Sequence, residues 1–312
     1  MKKIIFVLSL VIIFTGFSKN AAAQYYFYND TYYDSPLLFE IGGSAGVMNC
    51  LTDLGGKKGI GKKFIKDLNM GKTEFQGGLY FMAMYKYSVG LRLEGTFGKV
   101  SADDAILKDV DVKDIARARY NRNVSFRSTI SEFSLVAELH PLFLLIDYTE
   151  RDQDPPRYSP YLLGGVGYYS FNPQAKLANR WVDLQPLSTE GQGFVEYPDR
   201  PVYKLKQINF PLGAGIKYEL SDVLNVRGEF VYRVLGTDYL DDVSTTYVDP
   251  VAYANPANGF SVQKQADAFK LSDRQLNKVT GPGGKRGSPA QKDAFFTFSI
   301  KLGLAIGRER IR

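Results

Sequence analysis

The chain has very few of the side chains that most often carry out chemistry, with one histidine, one cysteine and one tryptophan among 312 residues. A two-histidine metal site is therefore excluded, and any serine–histidine–carboxylate arrangement has to use His140. Cys50 has no second cysteine with which to form an internal disulfide. It also lies too far along the chain to be the lipid-carrying first residue of a mature lipoprotein.

Long apolar runs are equally scarce, because none after residue 23 reaches the length of a membrane helix. The one long run, from Ile4 to Phe17, follows the charged start Met1-Lys2-Lys3. Ala21-Ala22-Ala23 come next and fit the small-residue cleavage rule, so we expect residues 1–23 to be a removed signal peptide. A retained anchor is the weaker interpretation, since the run is short for a bilayer. The predicted mature domain is 24–312.

The surplus of positive charge is small, since the formal net charge is +6 and three of the lysines lie in this leader. No segment concentrates Lys and Arg on one face with interleaved aromatic residues, so we expect no nucleic-acid partner. The short basic cluster from Lys57 to Lys63 is interpreted as a solvated loop.

Glycine and aromatic residues are abundant, with 30 Gly, 21 Tyr and 21 Phe, a profile typical of β-proteins. Period-two alternation is clearest from Leu224 to Val234, where even positions are apolar, aromatic or Gly and odd positions are polar apart from Val231. The pattern returns from Phe296 to Ile306, so each strand has one face for lipid and one for a lumen. Strands of about ten residues with terminal Phe and Tyr favour a membrane barrel over a soluble sandwich.

Further segments alternate in the same way and bring the predicted strands to eight. They cover residues 37–48, 73–86, 89–100, 123–140, 158–171 and 203–219. The sequence therefore predicts an all-β fold, an eight-stranded antiparallel transmembrane β-barrel whose narrow interior is filled by side chains. We interpret the charged lumen positions as a paired polar core and not as a pore lining. These positions are Glu40, Arg92, Glu94, Glu132, Glu138, Arg227, Glu229, Arg233 and Lys301.

Short and long connections alternate along this predicted barrel. Tyr87-Ser88 and Leu220-Ser221-Asp222 are short turns, whereas the long connections are residues 49–72, 101–122, 172–202 and 238–292. Outer-membrane barrels keep tight turns in the periplasm, so we expect short periplasmic turns, long extracellular loops and periplasmic N- and C-termini. Residues 141–157 are too long for a simple turn and form a candidate contact surface facing the periplasm.

Candidate catalytic and metal-binding groups are few. His140 lies beside Pro141 at the predicted periplasmic end of a strand, whereas an enzyme acting on outer-leaflet lipid needs its base near the opposite rim. We therefore interpret this histidine as structural or interfacial. The acidic run of Asp238, Asp241, Asp242 and Asp249 lacks the spacing of a calcium loop, although calcium there stays an alternative. We predict no enzymatic activity, no cofactor and no metal site, and we attribute the glycine-rich strand segments to close strand packing.

Two of the long loops carry aromatic-rich motifs that indicate packed structure. They run from Phe171 to Ala175 and Trp181 to Gly193, and from Thr237 to Tyr247. With these motifs, and with Arg122 to Ser128 and Tyr161 to Gly167 in the strands, the chain resembles the PorG-like outer-membrane proteins of Bacteroidetes, components of the type IX secretion system. The candidate interaction residues in the motifs are Phe171, Asn172, Pro173, Trp181, Asp183, Gln185, Glu190, Tyr239, Asp241, Asp242 and Tyr247.

The resemblance implies a non-enzymatic barrel that anchors a periplasmic ring to the outer membrane and is needed for secretion of cargo, and for export of gliding adhesins where present. Its implied partners are a PorK-like ring lipoprotein, a PorN-like protein and outer-membrane lipid. The contact residues we expect are Leu142 to Arg157 and Arg308 to Arg312. The alternatives are a free-standing structural or adhesive barrel and, less favoured, a lipid-modifying barrel enzyme.

Residues 248–292 form the longest connection and contain its strongest loop signals. Pro250, Pro256 and Gly281-Pro282-Gly283-Gly284 predict a mobile loop with one short helix near Ala266 to Val279. We favour a flexible surface loop over a docking element.

Overall fold

The computed structural model describes residues 37–54, 70–145, 156–221 and 223–306. Eight strands of 12 to 15 residues form a single wall. These are β1 (Leu37–Leu51), β2 (Glu74–Tyr85), β3 (Val89–Asp103), β4 (Ser125–Leu139), β5 (Tyr158–Ser170), β8 (Lys206–Glu219), β9 (Leu224–Leu235) and β10 (Ala294–Ile306); a separate hairpin of β6 (Pro173–Leu177) and β7 (Arg180–Asp183) lies between β5 and β8. The predicted leader, the cluster from Lys57 to Lys63 and the segment from Arg308 to Arg312 lie outside the described residues.

The wall is a closed antiparallel barrel. Each strand pairs with its neighbour in the order β1, β2, β3, β4, β5, β8, β9, β10. The ring closes where β10 pairs with β1, with Gly42 opposite Gly303. Closure leaves no unpaired strand edge, which is the condition for a sheet to cross a bilayer.

The two faces of the wall differ in the way that the alternation predicts. Outward side chains form an apolar belt around the barrel, including Leu79 (72% exposed), Phe133 (68%) and Leu302 (53%). Inward neighbours of the same strands are buried and polar, as in Thr297, Ser299 and Lys301 of β10. An apolar surface of this extent is costly in water. The fold is therefore a transmembrane barrel of the outer-membrane type.

The eight predicted strands are confirmed, and their ends differ by a few residues. The largest extensions are in β1, which continues to Leu51 where the alternation predicts an end near residue 48, and in β3, which continues to Asp103 where it predicts an end near residue 100. Met48, Asn49 and Cys50 are buried in succession. Loops cover both faces of the strand here, so its polarity no longer alternates and the period-two signal ends early.

The long connections meet at one end of the barrel, the loop end. They contain α1 (Ala116–Arg122), the β6–β7 hairpin and α3 (Val262–Ser272). The helix predicted near Ala266 to Val279 is placed wrongly by the sequence pattern. The side chain of Ser261 accepts from the backbone N–H of Lys264 and caps the helix earlier, and the helix ends at Ser272. Within the described residues, no helix is long and apolar enough to cross a membrane.

The opposite end, the turn end, is compact. Lys86 and Tyr87 take positive φ angles in the tight turn between β2 and β3, and the backbone N–H of Ser88 donates to Tyr85. Between β4 and β5 the chain forms the short helix α2 (Pro141–Leu145). Its backbone is tied to the neighbouring turn, because the N–H of His140 donates to the carbonyl of Ser88 at 2.8 Å.

Candidate functional site

The centre of the barrel contains a buried knot of charged side chains. Arg92 on β3 contacts Glu138 on β4 through Nη1, and the same guanidinium binds both carboxylate oxygens of Glu229 on β9 at 2.8 and 3.1 Å. Lys301 on β10 contacts Glu229 at 2.8 Å and Glu94 at 2.5 Å. The knot therefore joins strands that are far apart around the ring.

A second arginine continues the knot toward the turn end. Arg227 binds the second oxygen of Glu138 at 2.8 Å and both oxygens of Glu40 on β1, at 3.0 and 2.8 Å. Asn225 donates to Glu40 at 2.9 Å, and Tyr80 donates to it at 2.5 Å. Each carboxylate thus has partners from several strands, which is what makes buried charge tolerable in a low-dielectric interior.

A second tier lies nearer the loop end. Glu132 on β4 accepts from Asn209 at 2.7 Å and from Arg233 Nε at 3.1 Å. Arg233 also donates to Thr297 and lies over the ring of Phe295, 5.3 Å from its centroid. Above this tier the charged lining gives way to packed aromatic and aliphatic side chains. The lumen is consequently filled along its length by side chains.

Glycines make space for the two tyrosines that serve this knot. A Cβ at Gly42 would lie 2.5 Å from the ring of Tyr80, and one at Gly215 would lie 2.5 Å from the ring of Tyr161. Tyr161 uses this space to donate to Glu229 at 2.8 Å. The strand glycines are thus required for close side-chain packing inside the barrel.

The loop end is covered by a folded cap, by which we mean residues 103–124, 171–205 and 236–293. Its apolar core includes Phe171, Leu187, Leu240 and Leu271, and it is continuous with Tyr169 and Phe295 at the top of the lumen. Tyr203 stacks on Tyr239 with 4.8 Å between ring centroids. The segment 248–292, predicted as mobile, contributes α3 and several buried side chains to this core; its mobility stays a prediction.

Glu190 is the main polar anchor of the cap. Its carboxylate accepts from the backbone N–H groups of Ser244 and Thr245 at 3.0 and 2.8 Å, and from Arg286 at 2.8 Å. Arg286 also donates to the backbone carbonyl of Asp242 at 2.8 Å. One buried carboxylate therefore joins residues 171–205 of the cap to two separate stretches of residues 236–293.

Arg122 at the end of α1 is a second anchor, which the sequence analysis did not single out as a site residue. It forms a two-pronged contact with Asp104, with both N···O distances at 2.8 Å. It also donates to the carbonyls of Asp53 at 2.7 Å and Arg286 at 2.8 Å. The side chain thus fastens α1 to the end of β1 and to the last cap segment. The Arg and Asp are 18 residues apart in sequence, and no short motif marks the pair.

Four buried aspartates, Asp238, Asp241, Asp242 and Asp293, lie beside these anchors with few positively charged side chains near them. Burial raises the pKa of Asp238 to about 7 and that of Asp242 to about 6. Burial and nearby carboxylates hold the pKa of Asp241 and of Asp293 well above the ordinary aspartate range. The calcium alternative finds no support in geometry, because the described residues contain no group of three His, Cys, Asp or Glu side chains that could hold a metal ion.

The predicted interaction residues of the two loop motifs divide into two sets. Phe171, Glu190, Asp241, Asp242 and Tyr247 are buried in the cap. Their aromatic and carboxylate groups are used inside the cap, and a part for these five in contacts with a partner stays a prediction. No sequence signal separates a buried motif from an exposed one here.

Of the other motif residues, Pro173 is also buried, and the rest are exposed or partly buried. Asn172 and Gln174 donate to Asp183 at 3.0 and 2.6 Å, and Trp181 is 42% exposed. The remaining predicted positions hold the cap together: Pro173 begins β6, Gln185 donates to the carbonyl of Tyr203 at 3.2 Å, and Tyr239 is partly buried against Tyr203. All nine charged residues predicted for the lumen are buried and lie in the knot or its second tier.

A cavity of about 890 Å³ lies between the ends of β1 and β10, α1 and residues 275–294. Arg119, Asn121, Gln275 and Lys285 contribute polar groups to its lining. A pocket of this size with convergent polar groups is of the kind that binds ligands. Alternating strand patterns give no hint of it, since loops from distant parts of the chain form its walls.

The histidine at the turn end is part of a serine–histidine–carboxylate line. Nδ1 of His140 lies 2.7 Å from the hydroxyl of Ser159, and Nε2 lies 3.2 Å from Glu138. Burial lowers the pKa of His140 below its ordinary value. The space beside the line is only about 10 Å³, room for one water at most. Glu138 is also bound by both central arginines, so the line serves to join the knot to the turn end.

Comparison with solved structures gives low-similarity matches to bacterial outer-membrane barrels. Neisserial surface protein A matches at 7% identity and a TM-score of 0.38, with 86% of this chain and 97% of that chain covered. The outer membrane protein OprG from Pseudomonas aeruginosa matches at 12% and 0.37, covering 86% and 95%. Outer Membrane Protein W of E. coli matches at 12% and 0.31, covering 88% and 100%. No family model and no curated protein sequence matches the chain.

Proposed function

We propose that this chain is a non-enzymatic, non-conducting barrel of the bacterial outer membrane that anchors the periplasmic ring of a type IX secretion system. The observation that carries the proposal is the closed lumen, in which Arg92, Glu138 and Arg227 fill the centre of the barrel. A barrel without a conduit has to act through its surfaces. The loop motifs and strand segments that resemble the PorG-like proteins supply the link to secretion.

In this proposal the turn end faces the periplasm and meets the ring. The described part of the β4–β5 connection offers Leu144 and Leu145, which are 52% and 80% exposed. Exposed leucines next to a barrel rim are suited to a hydrophobic contact with a ring protein. The PorK-like lipoprotein and the PorN-like protein are the expected partners.

The test is a mild-detergent pull-down of the tagged protein from outer membranes, followed by mass spectrometry. Recovery of a ring lipoprotein and its partner is the expected result. The double variant Leu144→Ser/Leu145→Ser should reduce that recovery, whereas Leu220→Ser, a similarly exposed leucine in the β8–β9 turn, should not. Recovery of the barrel alone from wild-type membranes would remove the ring-anchoring role.

Two further measurements bear on the same proposal. In planar bilayers the wild-type protein should show no steady ion conductance, since the lumen is filled. A deletion strain should lose secretion of many cargo proteins while its outer membrane stays intact. Normal secretion in that strain would contradict the proposal.

A free-standing surface barrel is the second candidate, favoured by the 890 Å³ cavity in the cap. In that case the cap would face outward and bind a ligand outside the cell. Deletion would then leave secretion normal and reduce binding of cells to a surface or a soluble ligand, which separates the two candidates.

A further inference from the structure

On one side of the barrel near the loop end, the outward side chains change abruptly from apolar to polar and basic. On β3 the outward residue after Phe97 is Lys99, and on β8 the outward residue next to Ile208 is Lys206. On β4 the outward series runs from Phe133 through Ser131 and Thr129 to Arg127. Exposed apolar side chains at the rim of the belt are thus followed within one or two outward positions by hydroxyls and cations.

Strand register shows that these residues are neighbours. Lys99 is opposite Thr129, Ser131 is opposite Ser170, and Ser170 is opposite Lys206. With about 5 Å between adjacent strands, they form a continuous arc over β3, β4, β5 and β8. We call Lys99, Arg127, Thr129, Ser131, Ser170 and Lys206 the basic collar.

The collar cations lack opposing charge. Among the described residues, none of Lys99, Arg127 and Lys206 forms an ion pair, whereas exposed Arg180 and Lys72 each pair with an aspartate. Arg127 instead donates to Gln174 at 3.1 Å and lies 3.6 Å over the ring of Trp181. The nearby Asp183 accepts from Asn172 and Gln174. Positive charge in the collar is therefore available to a ligand.

The other side of the barrel has no such arc. Outward residues near the loop end of β1, β2, β9 and β10 include Val47, Phe75, Val234 and Phe298, all at least 40% exposed. Their described outward positions carry no lysine or arginine. A collar needed only for solubility would not be confined to one side.

The distance of the collar from the apolar belt determines which part of the membrane lipid it can contact. Phe97, Phe133, Tyr168 and Ile208 are each more than half exposed and mark the rim of the belt. The collar begins within about one strand repeat of that rim, which is the level of lipid head groups. Trp181, which stacks on Arg127 of the collar, is a residue type enriched at membrane interfaces.

We propose that the basic collar binds the phosphorylated head groups of glycolipid in the membrane leaflet at the loop end. Lysine ammonium groups supply point charges, the Arg127 guanidinium supplies a fork of N–H donors, and the serine and threonine hydroxyls donate to phosphate or sugar oxygens. Phosphorylated glycolipid then binds preferentially on the side of the barrel that carries the collar. This inference rests on the transmembrane fold and is independent of the secretion role.

The experiment uses the full-length mature protein in nanodiscs of phosphatidylcholine containing trace lipid A, with native mass spectrometry of the lipid retained on release. Bisphosphorylated lipid A should be retained, dephosphorylated lipid A should not, and retention should fall as salt rises. The triple variant Lys99→Gln/Arg127→Gln/Lys206→Gln should lower retention about tenfold or more. The control Lys108→Gln/Lys113→Gln/Lys270→Gln changes charge equally on exposed cap positions and should leave retention unchanged.

Three outcomes would overturn the proposal. They are equal retention by the collar and control variants, equal retention of phosphorylated and dephosphorylated lipid A, and competition by inorganic phosphate at low millimolar concentration, which would indicate a soluble-anion site. Heat-modifiable migration of the collar variant checks that the barrel is folded.

Discussion

Inside the barrel wall, six buried carboxylates face five buried lysines and arginines, whereas among the described cap residues seven buried carboxylates lie around two buried arginines. In the lumen every glutamate of the central knot has a cation within 3.1 Å. In the cap, Glu190 and Asp104 have such partners, but Asp238, Asp241 and Asp293 are buried near one another. The barrel interior is built on paired charge, and the cap is built partly on carboxyls whose pKa is raised by burial.

This difference predicts different responses to the same kind of damage. Removing a cation from the lumen leaves buried carboxylates without a counter-charge in the part that holds all strands together. Damage to the cap is confined to loops that contact one end of the barrel. The lumen should therefore govern global stability, and the cap should govern local order at the loop end.

The largest expected effect follows from Arg227→Met. The change leaves Glu40 with only Lys217, 3.9 Å away, as a cation and removes one of the two arginines bound to Glu138. Breaking a buried pair costs about 3 to 5 kcal/mol in unfolding free energy. Urea unfolding in phosphatidylcholine vesicles measures it. Lys99→Met, an outward position on β3, is the matched control and should change stability by less than about 0.5 kcal/mol. Equal effects of the two variants would show that the knot is not holding the wall together.

Glu190→Ala should have the next largest effect, limited to the cap. The change removes the acceptor of two backbone N–H groups and the ion pair of Arg286, which keeps only the carbonyl of Asp242 as an acceptor. The cost should be about 2 to 3 kcal/mol in local stability. Hydrogen exchange in residues 236–293 should rise, while urea unfolding of the barrel stays within about 0.5 kcal/mol of wild type. A parallel loss of barrel stability would contradict the separation of the two regions.

The acid-rich part of the cap predicts a response to pH that the lumen should lack. A raised pKa means that the closed cap binds more protons than the opened cap, so stability is highest at low pH and falls as pH rises. The fall should begin above the ordinary aspartate pKa and continue through about 6 for Asp242 and about 7 for Asp238. We expect local opening of the cap to increase about tenfold or more between pH 5 and pH 9.

Protease cleavage within the cap, measured against pH on vesicle-bound protein, checks this expectation. Asp238→Asn/Asp242→Asn replaces the two carboxyls whose pKa values set this window with neutral amides of the same shape, and should flatten the profile. Asp111→Asn, an exposed cap aspartate, should leave it unchanged. A cap that becomes more resistant at high pH would reverse the predicted sign.

The comparison also explains which features the sequence could predict. Lumen residues such as Arg92 and Glu229 lie in strands along which polar and apolar residues alternate strictly. A period of two therefore predicts both that these side chains face the lumen and which other side chains face it with them. Covering loops remove that alternation at Met48 to Cys50. The number of strands and the residues that face the lumen can be predicted from the alternation of polar and apolar residues, whereas the strand ends cannot.

Cap contacts depend on pairs that no local pattern connects. Glu190 and Arg286 are 96 residues apart in sequence, and Arg122 reaches a carbonyl 164 residues away. Aromatic motifs around Phe171 and Tyr239 correctly indicate packed loops, yet nothing in them distinguishes a buried carboxylate from an exposed one. The cavity and the basic collar likewise arise only when register and loop packing are known.

The smallest expected effect concerns the surface of the cap. Arg180 on β7 binds Asp267 on α3 at 2.6 Å and is 54% exposed, so Arg180→Ala should cost no more than about 1 kcal/mol of local stability because water and salt screen the pair. Hydrogen exchange of α3 measures the effect, with Lys278→Ala, whose lysine binds Asp273 at 2.7 Å and is 60% exposed, as the matched control. Both changes should matter less than Glu190→Ala, because their carboxylate partners are accessible to solvent or to other donors. If Arg180→Ala instead released α3 as strongly as the Glu190 change, the cap would depend on its surface pairs, and the buried anchors would not be its main support.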